Sequence, residues 1–97
     1  MPAGASRAEV ASAADREMLF EELRRELAEL DPDALLERFS PEAELASLGL
    51  DSMTLMSAIA DIESRHSIRI PHERIMGLET VGQLIAIIQR HVEARER

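Results

Sequence analysis

Apolar residues recur at three- and four-residue spacings in three separate stretches, and this periodicity decides the fold class. Met18, Leu19, Leu23, Leu27 and Leu30, with Glu and Arg between them, predict an amphipathic helix over Asp15 to Leu30. Ser12 and Asp15 are spaced like a loose capping pair, and Asp31-Pro32-Asp33 stops the helix. A second helix is predicted from Asp51 to about Arg65, with Asp51 or Ser52 as its N-cap. A third runs from its cap at Thr80 to about Val92 on Val81, Leu84, Ile85, Ile87 and Ile88. His72 to Met76 makes a short helix ending at Gly77. Ser67 to Pro71 alternates too briefly for a sheet.

Between the first two helices lies a long connection. Asp33 to Phe39 is expected to make two helical turns with Ala34, Leu35, Leu36 and Phe39 inward. Ser40-Pro41-Glu42 reads as an N-cap followed by Pro at the first helical position. Leu45, Leu48 and Leu50 are expected to tuck into the core, and Gly49 to mark a sharp backbone change. No heptad persists, which rules out a coiled coil. The expected architecture is an all-α, small four-helix bundle with three longer helices, one short helix and a long first loop. A disordered tail is expected over residues 1–14, one folded domain over 15–92 and a frayed end over 93–97.

Composition excludes several functions. A 97-residue chain uses most of its length on one core, which leaves little for a catalytic cleft. With two Phe and no Trp or Tyr, that core is aliphatic and offers no base-stacking platform. A net charge of −8 repels a phosphate backbone, so no nucleic-acid partner is expected. The absence of Cys removes disulfides, thiolate metal sites and a cysteine nucleophile. His66, His72 and His91 show no ligand spacing, so no metal is expected, and His66 is read as a partly buried edge residue. The acids are read as solvated, with no catalytic pair among them. No apolar run approaches a membrane span or a signal-peptide core, so a cytoplasmic protein without a membrane partner is expected.

On a helical wheel the second helix carries two apolar stripes about a quarter turn or more apart. Leu55, Ile59, Ile62 and His66 form the expected core face. Met53, Met56 and Ala60 form the other, either a second buried side or an exposed, adaptable recognition surface. Ser52, at the start of this helix, is either a cap or a modified hydroxyl, since a helix N-terminus suits an attached phosphate ester. It is not in a Gly-x-Ser-x-Gly elbow, and no His is paired with it by any motif, which weighs against a hydrolase.

Leu48-Gly49-Leu50-Asp51-Ser52-Met53 closely resembles the attachment motif of the acyl carrier protein family, L-G-x-D-S followed by L or M. Ile68 to Pro71 fits the family's I-x-I-P segment, and Thr80-Val81 fits the start of its last helix. The resemblance covers roughly residues 16–92 and implies a four-helix carrier domain, not an enzyme. It implies a 4′-phosphopantetheine arm from coenzyme A on Ser52, whose thiol would hold acyl intermediates as thioesters, with Asp51 helping the phosphopantetheinyl transferase. It also implies a partner-facing patch of Met53, Met56 and Ala60, with Asp61 and Glu63 as weaker contributors. The partners implied are acyl- or aminoacyl-loading enzymes, acyltransferases or ketosynthases, met by a monomer. The second helix is less acidic than in fatty-acid-synthesis carriers, and the sequence looks more like discrete carriers of polyketide or mixed polyketide–peptide pathways. The alternatives are a peptidyl carrier, or a helical interaction module in which Ser52 only caps a helix.

Charge is unevenly divided. Residues 1–50 hold 12 acids and 5 bases, residues 51–97 hold 7 and 6. The surface near Ser52 is therefore expected to rely on Met53 and Met56 more than on carboxylates.

Overall fold

The computed structural model describes the backbone of residues 2–34 and 36–96, and the side chains of 15–34 and 36–95. Among the described residues there are four helices: α1 (Pro2–Leu30), α2 (Ser52–His66), α3 (His72–Met76) and α4 (Val81–Glu96). Two 3-10 turns, Leu36–Arg38 and Leu45–Leu48, lie in the connection between α1 and α2. Among the described residues no strand forms, and Glu44 and Thr80 make an isolated antiparallel bridge.

The helix set matches the predicted bundle, but both ends differ. α1 starts at Pro2, not Asp15, so it runs through Ser12 and Asp15 and neither caps it. The segment read as a tail is rich in Ala, the strongest helix former, and Pro2 suits a first turn. Likewise α4 extends to Glu96, beyond the predicted end at about Val92, since Glu93, Ala94 and Arg95 all favour helix.

Leu19, Leu23 and Leu27 of α1 are buried against Ala58, Ile59 and Ile62 of α2 and Val81, Leu84, Ile85 and Ile88 of α4 in one aliphatic cluster. Met18 and Leu30, at the margins of the α1 stripe, are instead 69% and 43% exposed. The buried arc of α1 is thus narrower than its apolar spacing.

The long connection is tied down by α4. Leu45 N–H donates to the Glu79 carbonyl at 2.8 Å, Val81 N–H to the Ala43 carbonyl at 3.0 Å, and Gly82 N–H to the Pro41 carbonyl at 2.8 Å. This explains why Ser40-Pro41-Glu42 starts no helix: the Pro41 carbonyl serves the first turn of α4, where N–H groups lack intrahelical partners. Asp33 to Phe39 keeps only the turn Leu36–Arg38, and Leu35 lies outside the described residues. Phe39 is buried and meets Phe20 with ring centroids 4.6 Å apart, a contact that draws the chain back onto α1. Leu48 is fully buried, and Leu45 and Leu50 are partly buried and pack against the core. Thr80 caps α4, its hydroxyl accepting from Gln83 N–H at 3.2 Å.

Candidate functional site

The segment before α2 fixes where Ser52 stands. Leu48 anchors the chain in the core, and Gly49 turns it with φ 71 and ψ 18, left-handed values that a side chain would strain. Asp51 then takes extended values, φ −88 and ψ 167, and its carboxylate accepts from Thr54 N–H at 2.7 Å. Its carbonyl accepts from Leu55 N–H at 3.2 Å. Asp51 is therefore the cap of α2. Ser52 is the first helical residue, exposed, with its hydroxyl left out of the capping. The Thr54 backbone N–H, then its side chain and the Met53 N–H, hold the Asp51 carboxyl below the usual carboxylate range.

The expected patch divides. Met53 is 80% exposed, and Ala60 and Asp61 are also exposed. Met56 is half-buried and packs against the core, so the stripe combines both readings. Glu63 turns elsewhere: its carboxylate accepts from Ile70 N–H at 2.6 Å and fastens the loop between α2 and α3. Met76, 72% exposed at the end of α3, is a further large apolar residue in solvent, and no sequence pattern singled it out.

An ionic cluster joins α1 to the far end of α2, roughly 20 Å along the helix from Ser52. Arg65 bonds Glu22 at 2.9 Å and also Glu26, and His66 lies 2.9 Å from Glu22. Glu26 is only 5% exposed, so not all the acids are solvated. Its place beside Leu27 and three residues after Leu23 is the sequence signal for that burial. Burial would raise the Glu22 carboxyl, but hydrogen bonds from His66 and then Arg65 outweigh it and leave it lowered. His66 is thus an edge residue engaged in packing α1 on α2, remote from the Ser52 hydroxyl.

Ser52 does not line the grooves of about 740, 410 and 190 Å³ on this surface. Ser52 is exposed, at the start of α2. Among the described residues no group of three or more His, Cys, Asp or Glu could hold a metal ion, and no helix is long and apolar enough to cross a membrane. Such a hydroxyl fits an attached prosthetic arm, and the cysteine-free chain leaves any thiol chemistry to that arm.

Comparison with known proteins agrees with this geometry. The family described as "phosphopantetheine attachment site" matches residues 16–88. An acyl carrier protein of Streptomyces coelicolor is 37% identical over 84 residues, covering 86% of this chain and 91% of that protein. A polyketide biosynthesis acyl carrier protein of Bacillus subtilis is 29% identical over 80 residues, covering 82% of this chain and 98% of the relative. The solution structure of hexanoyl acyl carrier protein from the actinorhodin polyketide synthase of Streptomyces coelicolor superposes with a TM-score of 0.65 at 27% identity, covering 74% of this chain and 87% of that one. This chain belongs to the phosphopantetheine attachment family. It is built as an acyl carrier: a 4′-phosphopantetheine group supplies the thiol that tethers acyl intermediates, and the protein supplies the attachment point and the surface.

Proposed function

We propose that Ser52 is the residue esterified to 4′-phosphopantetheine and that the chain serves polyketide-type biosynthesis in the cytoplasm as a monomer. The observation that carries the attachment assignment is the division of labour at α2. Asp51 makes the cap, so the exposed Ser52 hydroxyl is not spent on the fold. This favours an attachment point over an interaction module in which Ser52 only caps a helix. The polyketide assignment rests on the relatives from Bacillus subtilis and the actinorhodin synthase.

The physical logic is tethering. A thioester on a flexible arm is held near successive enzymes at high effective concentration. Each enzyme must bind the carrier weakly enough to release it. Met53, Met56, Ala60 and Asp61 are the proposed contact patch for the transferase, the loading enzymes and acyltransferases or ketosynthases. Glu63 contributes by holding the adjoining loop.

The test is in two stages. A broad-specificity phosphopantetheinyl transferase with coenzyme A converts the protein, and peptide mass mapping places the added mass on Ser52. The loaded protein is then offered to acyltransferases with acyl-coenzyme A substrates and to adenylating enzymes with amino acids. Acyl thioester formation supports this function. Exclusive aminoacyl loading makes the chain a peptidyl carrier instead.

A further inference from the structure

An anion attached at the first residue of a helix would ordinarily settle on the helix end, where N–H groups lack partners and the macrodipole is positive. At α2 a carboxylate already stands at that place. Asp51 accepts from Thr54 N–H at 2.7 Å, and the Leu55 N–H is spent in the first intrahelical bond, to the Asp51 carbonyl. A phosphodiester on the Ser52 oxygen would meet a carboxylate of like charge one residue away, which already holds the Thr54 N–H. Nor does the neighbouring chain offer a cation. Residues 39–64 contain Glu42, Glu44, Asp51, Asp61 and Glu63 and no Arg, Lys or His.

We infer that Asp51 is a positioning residue for the arm: by occupying the α2 N-terminus it keeps the phosphodiester on Ser52 off the helix and turned toward solvent. This rests on Ser52 as the attachment point and goes beyond it by assigning what governs the arm's base. An arm that does not bind its own carrier is free to enter a partner enzyme without first breaking a contact at home. The same carboxylate thus holds the helix and releases the arm.

The experiment compares unloaded and loaded protein for wild type, Asp51→Ala and Asp51→Asn, with intact mass confirming each conversion. In wild type, loading leaves the melting temperature unchanged or lowers it, and the Thr54 amide proton keeps its chemical shift. In Asp51→Ala the vacated donors accept the phosphodiester, so loading raises the melting temperature and moves the Thr54 amide downfield. Asp51→Asn keeps a cap without the charge and gains more from loading than wild type does. The inference is overturned if loading stabilises wild type as much as Asp51→Ala, or if it shifts the wild-type Thr54 amide by as much. If a variant resists loading, the wild type decides alone: a rise in its melting temperature on loading, or a downfield move of its Thr54 amide, overturns the inference. Failure of the wild type itself to gain mass strikes at the attachment point, a separate result.

Discussion

The Glu63 carboxylate accepts a 2.6 Å hydrogen bond from Ile70 N–H, and so the last turn of α2 holds the loop that leads into α3. The same loop passes through Ser67 in a left-handed conformation, φ 56, and Arg95 Nε donates to the Ser67 carbonyl at 3.1 Å. A side chain expected to face partner enzymes is thereby committed to the fold.

Glu63→Ala should cost about 1.5–3 kcal/mol, the range for a hydrogen bond to a charged group, with Glu63→Gln retaining part of it through its amide oxygen. Urea unfolding of the two variants checks this. Equal stability of Glu63→Ala and wild type would show that the loop holds without the bond.

The Glu22 carboxyl gives the stability a defined acid limb. Its folded value lies below the ordinary 4.5, so its contribution is fully present above that pH and is lost as pH falls through the lowered value. Glu22→Gln should therefore flatten the decline in stability below about pH 4.5, measured by chemical denaturation at stepped pH. An unchanged slope would mean that the contacts with His66 and Arg65 carry no net linkage.

Two glycines should respond in opposite directions. A Cβ on Gly82 would lie 2.9 Å from the Pro41 carbonyl oxygen, which also accepts the Gly82 N–H. Helix propensity alone would make alanine there the more stable by about 1 kcal/mol. The backbone clash reverses the sign, and Gly82→Ala should destabilise by about 1–3 kcal/mol. At Gly77 nothing lies within 4 Å and φ is −94, so Gly77→Ala should be neutral or stabilise by up to about 1 kcal/mol. Thermal melts of both variants read the contrast.

Met53, at 80% exposure, separates recognition from folding. Met53→Asp should leave the melting temperature unchanged and weaken binding to a cognate ketosynthase or acyltransferase more than Asp61→Asn does. Met56 is the poorer probe because it packs on the core. Titration calorimetry with the loaded carrier ranks the two variants. A greater loss with Asp61→Asn would indicate carboxylate-led recognition.

What could be read from the sequence was what local chemistry fixes. The α2 stripe of Ile59 and Ile62 is buried as its period requires, and Gly49, Thr80 and Gly77 mark turns and ends where predicted. The proposed attachment segment was legible as a resemblance: Leu48 to Met53 matches the family motif, whereas local chemistry alone left Ser52 a cap or a modified hydroxyl. What escaped depends on distant partners. Pro41 is diverted from a helix by Gly82, 41 residues away in sequence, and Glu26 is buried because Arg65 reaches it from α2. Glu63 and Asp61 look alike in sequence, and only the path of the following loop separates their roles. The spacing of Asp51 and Ser52 left either residue as the cap until the Thr54 hydrogen bond assigned it to Asp51.

The attachment of the arm to Ser52 is tested most directly by the intact mass of wild type and Ser52→Ala after incubation with coenzyme A and a phosphopantetheinyl transferase. Because Asp51 and not Ser52 caps α2, the variant should stay folded by circular dichroism. Wild type should gain the mass of a single phosphopantetheine and Ser52→Ala none. Equal gain by both proteins, or no gain by wild type, would contradict the account.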